Sequence, residues 1–393
     1  MNSPFNDLTK RYLSAYGVLK EDASFKFLES LNSHSFEKDK EEAIFALVSQ
    51  LRGRPTKIEK VEPGLFSGLS KDQIYRIVSK DNIEYLKVFE SPKIALKEYM
   101  GCKYIEQLNL SQCKHVEILH YGKIQYKSDE KVTENVFFIS SMAKGVEIPN
   151  LFFQLLYQET SAIALESLKS FFSIKGEALN HLHSLEPYVL SIDETTVLLQ
   201  NNFTYLIPYL FSSNVLLLKH PPDFEKLLNA LLANLMKASS LLVQSDRITH
   251  RKLQIVTGFV NTTFNLKTGE IHYFDQGAIT NTLLPSGQCA HFPEEAVGRT
   301  LINIEMGCEF LNVSETLKNG LQTTFINAYA KGMPLNGESI FPKMHFWILL
   351  ELAITLLNAT SSSLYTLERY EKLKRIIVGY IDNPSYLLKK WFS

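Results

Sequence analysis

Between residue 57 and the end of the chain the dominant hydrophobic period shifts near Gly145 from that of strands to that of helices, and that shift limits the fold more than any other feature. Before it, short alternating segments lie at Ile58–Val61, Gln73–Val78, Ile83–Phe89, Val116–Tyr121 and Val136–Ser140, with Gly64, Gly68 and polar turns between them. Strands in such quick succession predict an antiparallel sheet, interrupted by a helical pattern from about Ser91 to Leu108. After it, helical spacing dominates at Phe152–Leu168, Ile174–Leu185, Phe224–Val243, Glu294–Leu311, Leu317–Ala330, Met344–Leu357 and Leu367–Ile381. One hairpin is embedded among these helices, Asn261–Leu266 and Ile271–Gly277 around the turn Lys267-Thr268-Gly269. The chain therefore reads as α+β. A sheet-rich lobe spans 57–143, a connector lies near Met142–Gly145, and a larger helical lobe spans 144–393. Residues 1–56 read as a helical extension, in which Ala43, Ile44, Leu47, Val48 and Leu51 form one apolar stripe before Gly53 and Pro55 stop it.

The 393 residues suffice for two lobes with separate cores. With 41 basic and 42 acidic residues the net charge is −1, which lacks the electrostatic footprint of a nucleic-acid or acidic-membrane binder. Cys102, Cys113, Cys289 and Cys308 have no metal-type spacing and are too few for a disulfide framework, so a reducing compartment is expected. Met1–Lys10 has no apolar leader, and the longest apolar run, Phe346–Ala359, is broken by Glu351 and too short to span a bilayer. The expectation is a cytoplasmic protein without a membrane span.

Three constellations could carry chemistry. Lys87, in Tyr85-Leu86-Lys87-Val88-Phe89, shares a strand face with Ile83, Tyr85 and Phe89, and a cation among apolar neighbours needs a partner. The following helix offers one, because Glu98 falls at helical spacing with Ile94, Cys102 and Ile105. Asp275 shares a face with Ile271 and Tyr273 and precedes Gly277, where a metal-binding carboxylate would emerge from a packed strand. Ser67, Gly68 and Ser70 are small enough to let a strand-turn-strand backbone approach phosphates. His181 and His183, two apart on a helix, point to different sides and do not make a metal pair.

The order of these elements resembles the aminoglycoside phosphotransferase and choline kinase branch of the protein-kinase-like fold. Ser67-Gly68-Leu69-Ser70 running into Ile74-Tyr75-Arg76-Ile77 is similar to that family's nucleotide loop, and Tyr85–Phe89 to its lysine strand. Phe137-Phe138-Ile139-Ser140-Ser141-Met142 before Gly145 is like its hinge, where backbone beside Met142 would meet adenine. Gly176-Glu177-Ala178-Leu179 and Leu182-His183-Ser184-Leu185 resemble the helix that precedes its catalytic region. The resemblance covers about residues 56–390. It implies ATP and Mg²⁺ as cofactors, with Lys87 on the α- and β-phosphates and Glu98 orienting it.

The family's His-Gly-Asp box, whose Asp serves the attacking hydroxyl, and the metal-binding Asn five residues later have three possible registers here. Anchored on the turn at Gly269, Asn261 becomes the metal Asn and Val256 falls where the acid belongs. Matched on Gly258, Phe259 and Phe264 take the two places. Matched on Asp246, Arg251 stands where the Asn should be. The first keeps the hairpin geometry and is preferred, with Asp275 and Asn261 for Mg²⁺ and Asp246 as a base entering from elsewhere. The expected function is transfer of the ATP γ-phosphate to a hydroxyl of a small-molecule acceptor. The alternative is a catalytically impaired pseudokinase acting as a nucleotide-binding or protein-interaction module.

Overall fold

Along Gln73–Val78, Tyr75 and Ile77 are buried between more exposed neighbours, and along Ile83–Phe89, Leu86 and Val88 line the matching face, so the sheet they form has a surface that water must not reach. The stripe at Ala43, Ile44, Leu47 and Val48 covers it. In the structure, a computed structural model, these four side chains share one buried cluster with Tyr75, Ile77, Leu86, Val88, Ile124, Tyr126, Phe137 and Ile139. Each fully buried Val, Leu, Ile or Phe side chain in such a cluster contributes about 1.5–3 kcal/mol. The structure describes residues 28–53, 57–61, 73–80, 82–108, 110–128, 131–184, 187–189, 191–193, 221–243, 249–251, 261–274, 292–331, 337–361 and 366–383. These fall into two compact units, one holding the described residues up to Gly145 together with 270–274, the other holding the rest.

In the first unit the elements are β1 (Ser33–Ser35), α1 (Lys40–Arg52), β2 (Lys57–Lys60), β3 (Gln73–Val78), β4 (Ile83–Phe89), α2 (Pro92–Leu108), β5 (Cys113–His115), β6 (Ile118–Ser128) and β7 (Lys131–Ser141). Among the described residues six strands form a sheet in the order β1-β6-β7-β4-β3-β2. Its pairings are antiparallel as anticipated, except that β1 runs parallel to β6. Asp39 caps α1 by accepting from the Glu42 amide at 2.9 Å. At the other end of α1, Arg52 forks onto Glu84 of β4, with Nε 2.7 Å from Oε2. The opposite face of the sheet carries Phe89, Val136 and Phe138, which pack with Leu31 and with Ala95 and Leu96 of α2.

The second unit begins with β8 (Val146–Glu147), α3 (Ile148–Gln154) and α4 (Ser161–Ser184), followed by β9 (Pro187–Val189), α5 (Phe224–Val243), β10 (Thr249–Arg251) and β11 (Thr262–Asn265). The turn 266–269 leads from β11 to β12 (Glu270–Tyr273) of the first unit, and Gly269 takes the positive φ of 68° that this turn requires. Then come α6 (Pro293–Phe310), α7 (Glu315–Ala330), α8 (Gly337–Ser361) and α9 (Leu367–Asp382). The α8 segment Phe346–Leu350 is buried on every side, as a helix apolar all round must be, and it forms the centre of this unit against α5, α6 and α9.

Two expectations need correction. The sequence placed helices at Phe152–Leu168 and Ile174–Leu185, but the break falls earlier, at residues 155–160, and α4 then runs unbroken. Thr160 ends α3 by donating its hydroxyl to the Gln154 carbonyl at 3.0 Å, whereas Ser170 and Ser173 sit within α4 without interrupting it. Ile94 was expected on the apolar face with Glu98; it is 44% exposed, because the buried arc of α2 runs through Ala95, Glu98 and Cys102.

His345 of α8 introduces an acid sensitivity. Burial lowers its pKa to about 4. The unfolded chain, with an ordinary imidazole near 6.5, binds a proton that the folded chain refuses, so stability falls as pH drops from about 6.5 toward 4. The span corresponds to about 3 kcal/mol. We expect His345→Gln, which cannot titrate, to lose about 2 kcal/mol less than the wild type between pH 7 and 4.5 in urea unfolding of the second unit. Equal losses would show that His345 is not the sensitive group.

Candidate functional site

Strand alternation and register place Lys87. It lies opposite Ile74 of β3 and Phe138 of β7, on the sheet face covered by α2. Its side chain is only 15% exposed, and its Nζ sits 2.6 Å from Glu98 Oε2 and 4.9 Å from the centre of the Phe89 ring, two residues along the same face. Glu98 is buried on the inner arc of α2. Only two residues, Glu90 and Ser91, separate that helix from β4, and the Ile94 and Ala95 amides donate to the Ser91 carbonyl. The short connection forces α2 back across the strand it follows and brings a carboxylate to the amine. At this depth a lone charge costs several kcal/mol, so the pair is the arrangement that lets either group stay.

Met142 directly follows β7 and is 40% exposed. The strand end before it is held by reciprocal bonds, the Ser141 amide to the Glu117 carbonyl at 2.9 Å and the Glu117 amide to Ser141 Oγ at 3.0 Å.

β12, whose sequence continues to Asp275, pairs parallel with β5, with Ile271 opposite Cys113 and Tyr273 opposite His115. The Ile271 amide donates to the Gln112 carbonyl at 2.8 Å and the Val116 amide to the Tyr273 carbonyl at 3.1 Å. Tyr273 is fully buried, and burial, reinforced by the Cys113 thiol beside it, pushes its phenol well above the ordinary value. On the other face burial lowers the pKa of His272, against the opposing pull of Glu270. Both faces of β12 are thus enclosed, where the sequence alone indicated one.

Lys87 and Glu98 are the two anticipated site residues that the first unit brings into contact. Asn261 lies one residue before β11, half-buried, in the second unit. Phe264, the second register's substitute for the Asn, is buried against Phe171 with ring centres 6.0 Å apart, a core position. The backbone of His250 and Arg251 forms β10, antiparallel to β9. Ser67, Gly68, Ser70, Asp246 and Asp275 lie outside the described residues. Among the described residues no group of three or more His, Cys, Asp or Glu could hold a metal ion, and no helix is long and apolar enough to cross a membrane. Sequence reasoning passed over His115, which contacts Cys102 one turn beyond Glu98. In the sequence its only signal was a histidine just before the expected strand Val116–Tyr121.

No family model and no curated protein matches the sequence. Among solved structures, the microcompartment-associated aminopropanol kinase matches with a TM-score of 0.51 at 10% identity, over 90% of this chain and 98% of that one. An aminoglycoside phosphotransferase in its apo form matches at 0.49 and 10% identity, over 84% and 97%. A glucosamine kinase solved with glucosamine, ADP and inorganic phosphate matches at 0.47 and 8% identity, over 86% and 83%. The chain has the protein-kinase-like α+β fold, a sheet-rich first part followed by a helical one, as the resemblance in its sequence implied. Identities this low carry the fold and say nothing of the substrate.

Proposed function

We propose that the chain is an ATP-dependent phosphotransferase that moves the γ-phosphate to a hydroxyl of a small molecule. The observation that carries this reading is the Lys87 ammonium held 2.6 Å from a buried glutamate, on a fold shared with a small-molecule kinase. A fixed cation on a strand, oriented by a helix carboxylate, suits the α- and β-phosphates of a nucleotide. In this reading Ser67, Gly68 and Ser70 line the phosphate loop and the backbone beside Met142 meets the base. Asp275 and Asn261 are the residues that would hold Mg²⁺, which would supply charge neutralisation to the transferred group. Asp246 takes the proton of the acceptor hydroxyl.

A second reading has its own observation: the preferred register puts Val256 where an acid belongs. A general base commonly supplies about 10²–10⁴-fold in rate. Without one the chain would be a pseudokinase that binds nucleotide and acts through a protein partner.

Labelled ATP, Mg²⁺ and a panel of hydroxylated metabolites separate the two. The phosphotransferase reading expects transfer by the wild type, none by Asp275→Ala, and a loss of at least about 10²-fold in Asp246→Asn with nucleotide binding intact. Nucleotide binding with no transfer to any acceptor would favour the pseudokinase.

A further inference from the structure

Cys102 follows Glu98 by one helical turn on α2, and its Sγ lies 3.0 Å from Nε2 of His115. The opposite ring nitrogen, Nδ1, makes a close contact with the Val116 carbonyl oxygen. A carbonyl has no proton to give, so Nδ1 carries the hydrogen and donates it. In the neutral ring this leaves Nε2 as the acceptor for the Cys102 thiol. His115 ends β5 opposite Tyr273 of β12. The imidazole is therefore fastened on one side to the backbone of the β5–β12 pair and on the other to the helix that carries Glu98. Cys102 is 1% exposed, so water cannot replace the bond if it is lost.

We propose that Cys102 and His115 are positioning residues. Their hydrogen bond fixes α2 against the β5–β12 pair, and with α2 it fixes Glu98 and the Lys87 ammonium relative to the strand whose sequence continues to Asp275. The inference rests on the nucleotide-binding reading above and extends it: the placement of the phosphate-binding amine is set by a thiol–imidazole contact outside the Lys87–Glu98 pair.

The test compares Cys102→Ala, which removes the donor, with Cys102→Ser, which keeps one, and with His115→Phe, which removes the acceptor while filling its space. Each is titrated with the Mg²⁺ complex of the non-hydrolysable analogue AMP-PNP, and amide exchange of α2 and β12 is followed without nucleotide. Loss of the tie raises Kd about five-fold in Cys102→Ala and His115→Phe and speeds exchange in both elements, while Cys102→Ser stays within about two-fold of the wild type. A purely structural role lowers Tm in all three variants without separating Ser from Ala in Kd, and that result overturns the proposal. So does faster exchange confined to α2 with β12 unchanged. If the wild type binds no nucleotide, the functional reading fails, and the exchange measurement still decides whether the tie exists.

Discussion

Lys87→Met lowers stability by about 3 kcal/mol, and Lys87→Met with Glu98→Leu returns it to within about 1 kcal/mol of the wild type. The first change leaves the Glu98 carboxylate, 11% exposed, without the ammonium 2.6 Å away. Removing one partner of a buried pair costs about 3–5 kcal/mol, since the remaining charge keeps its desolvation penalty. Replacing both by apolar groups of similar size removes that penalty and is often neutral or stabilising. The neighbours favour such a swap, because Phe89, Phe138, Ala95 and Leu96 already form an apolar cluster on this face. Urea unfolding of the two variants checks this. Additive losses in the double variant would mean that the pair stabilises the fold in its own right, which would remove the argument that it is kept for function.

Gly176→Ala is expected to destabilise by about 2 kcal/mol although alanine is the better helix former. A Cβ at position 176 of α4 would sit 2.7 Å from the Phe325 carbonyl oxygen, 2.8 Å from Ala328 Cβ and 3.0 Å from the Tyr329 amide of α7. Two of these are backbone atoms and cannot turn aside, so the helices must separate. Asn180 and His183, one and two turns along the same face, would lose their hold: Asn180 Nδ2 donates to the carbonyls of Tyr329 and Lys331, and His183 Nδ1 lies 2.8 Å from the Tyr329 hydroxyl. Overpacking costs about 1–3 kcal/mol and the broken bonds add to it, against about 1 kcal/mol gained in helix propensity. Gly320→Ala, on α7 itself with nothing within 4 Å, is the matched control and should stabilise by up to about 1 kcal/mol. If the two variants shift Tm in the same direction, the close helix crossing is wrong.

The elements that could be read from sequence are those whose periodicity is complete within the segment. Gln73–Val78, Ile83–Phe89 and Phe224–Val243 have the bounds their patterns indicate. The β6–β7 hairpin extends well past the expected Val116–Tyr121 and Val136–Ser140. Ile124 and Tyr126 continue the alternation, while Lys123, Gln125 and Lys127 lower its mean hydropathy. Pairings that join distant segments left no trace: the parallel contacts of β1 with β6 and of β5 with β12 depend on registers that no local pattern encodes. The same division runs through the site. Lys87 and Glu98 each violate a local apolar pattern, which is why both were legible. The Cys102–His115 contact violates none, since a buried cysteine on a helix and a histidine at a strand end are each ordinary alone.

In the phosphotransferase we propose, the Lys87–Glu98 pair is kept to hold the phosphates of a nucleotide. Calorimetric titration with AMP-PNP and Mg²⁺ of the wild type and of the Lys87→Met, Glu98→Leu double variant, at matched stability, tests it most directly. A lost charge-assisted contact corresponds to about 1.5–3 kcal/mol, or about 10–100-fold in Kd. We expect the wild type to bind and the double variant to lose affinity by that factor; equal affinity in the two, or no binding by the wild type, would overturn this role for the pair.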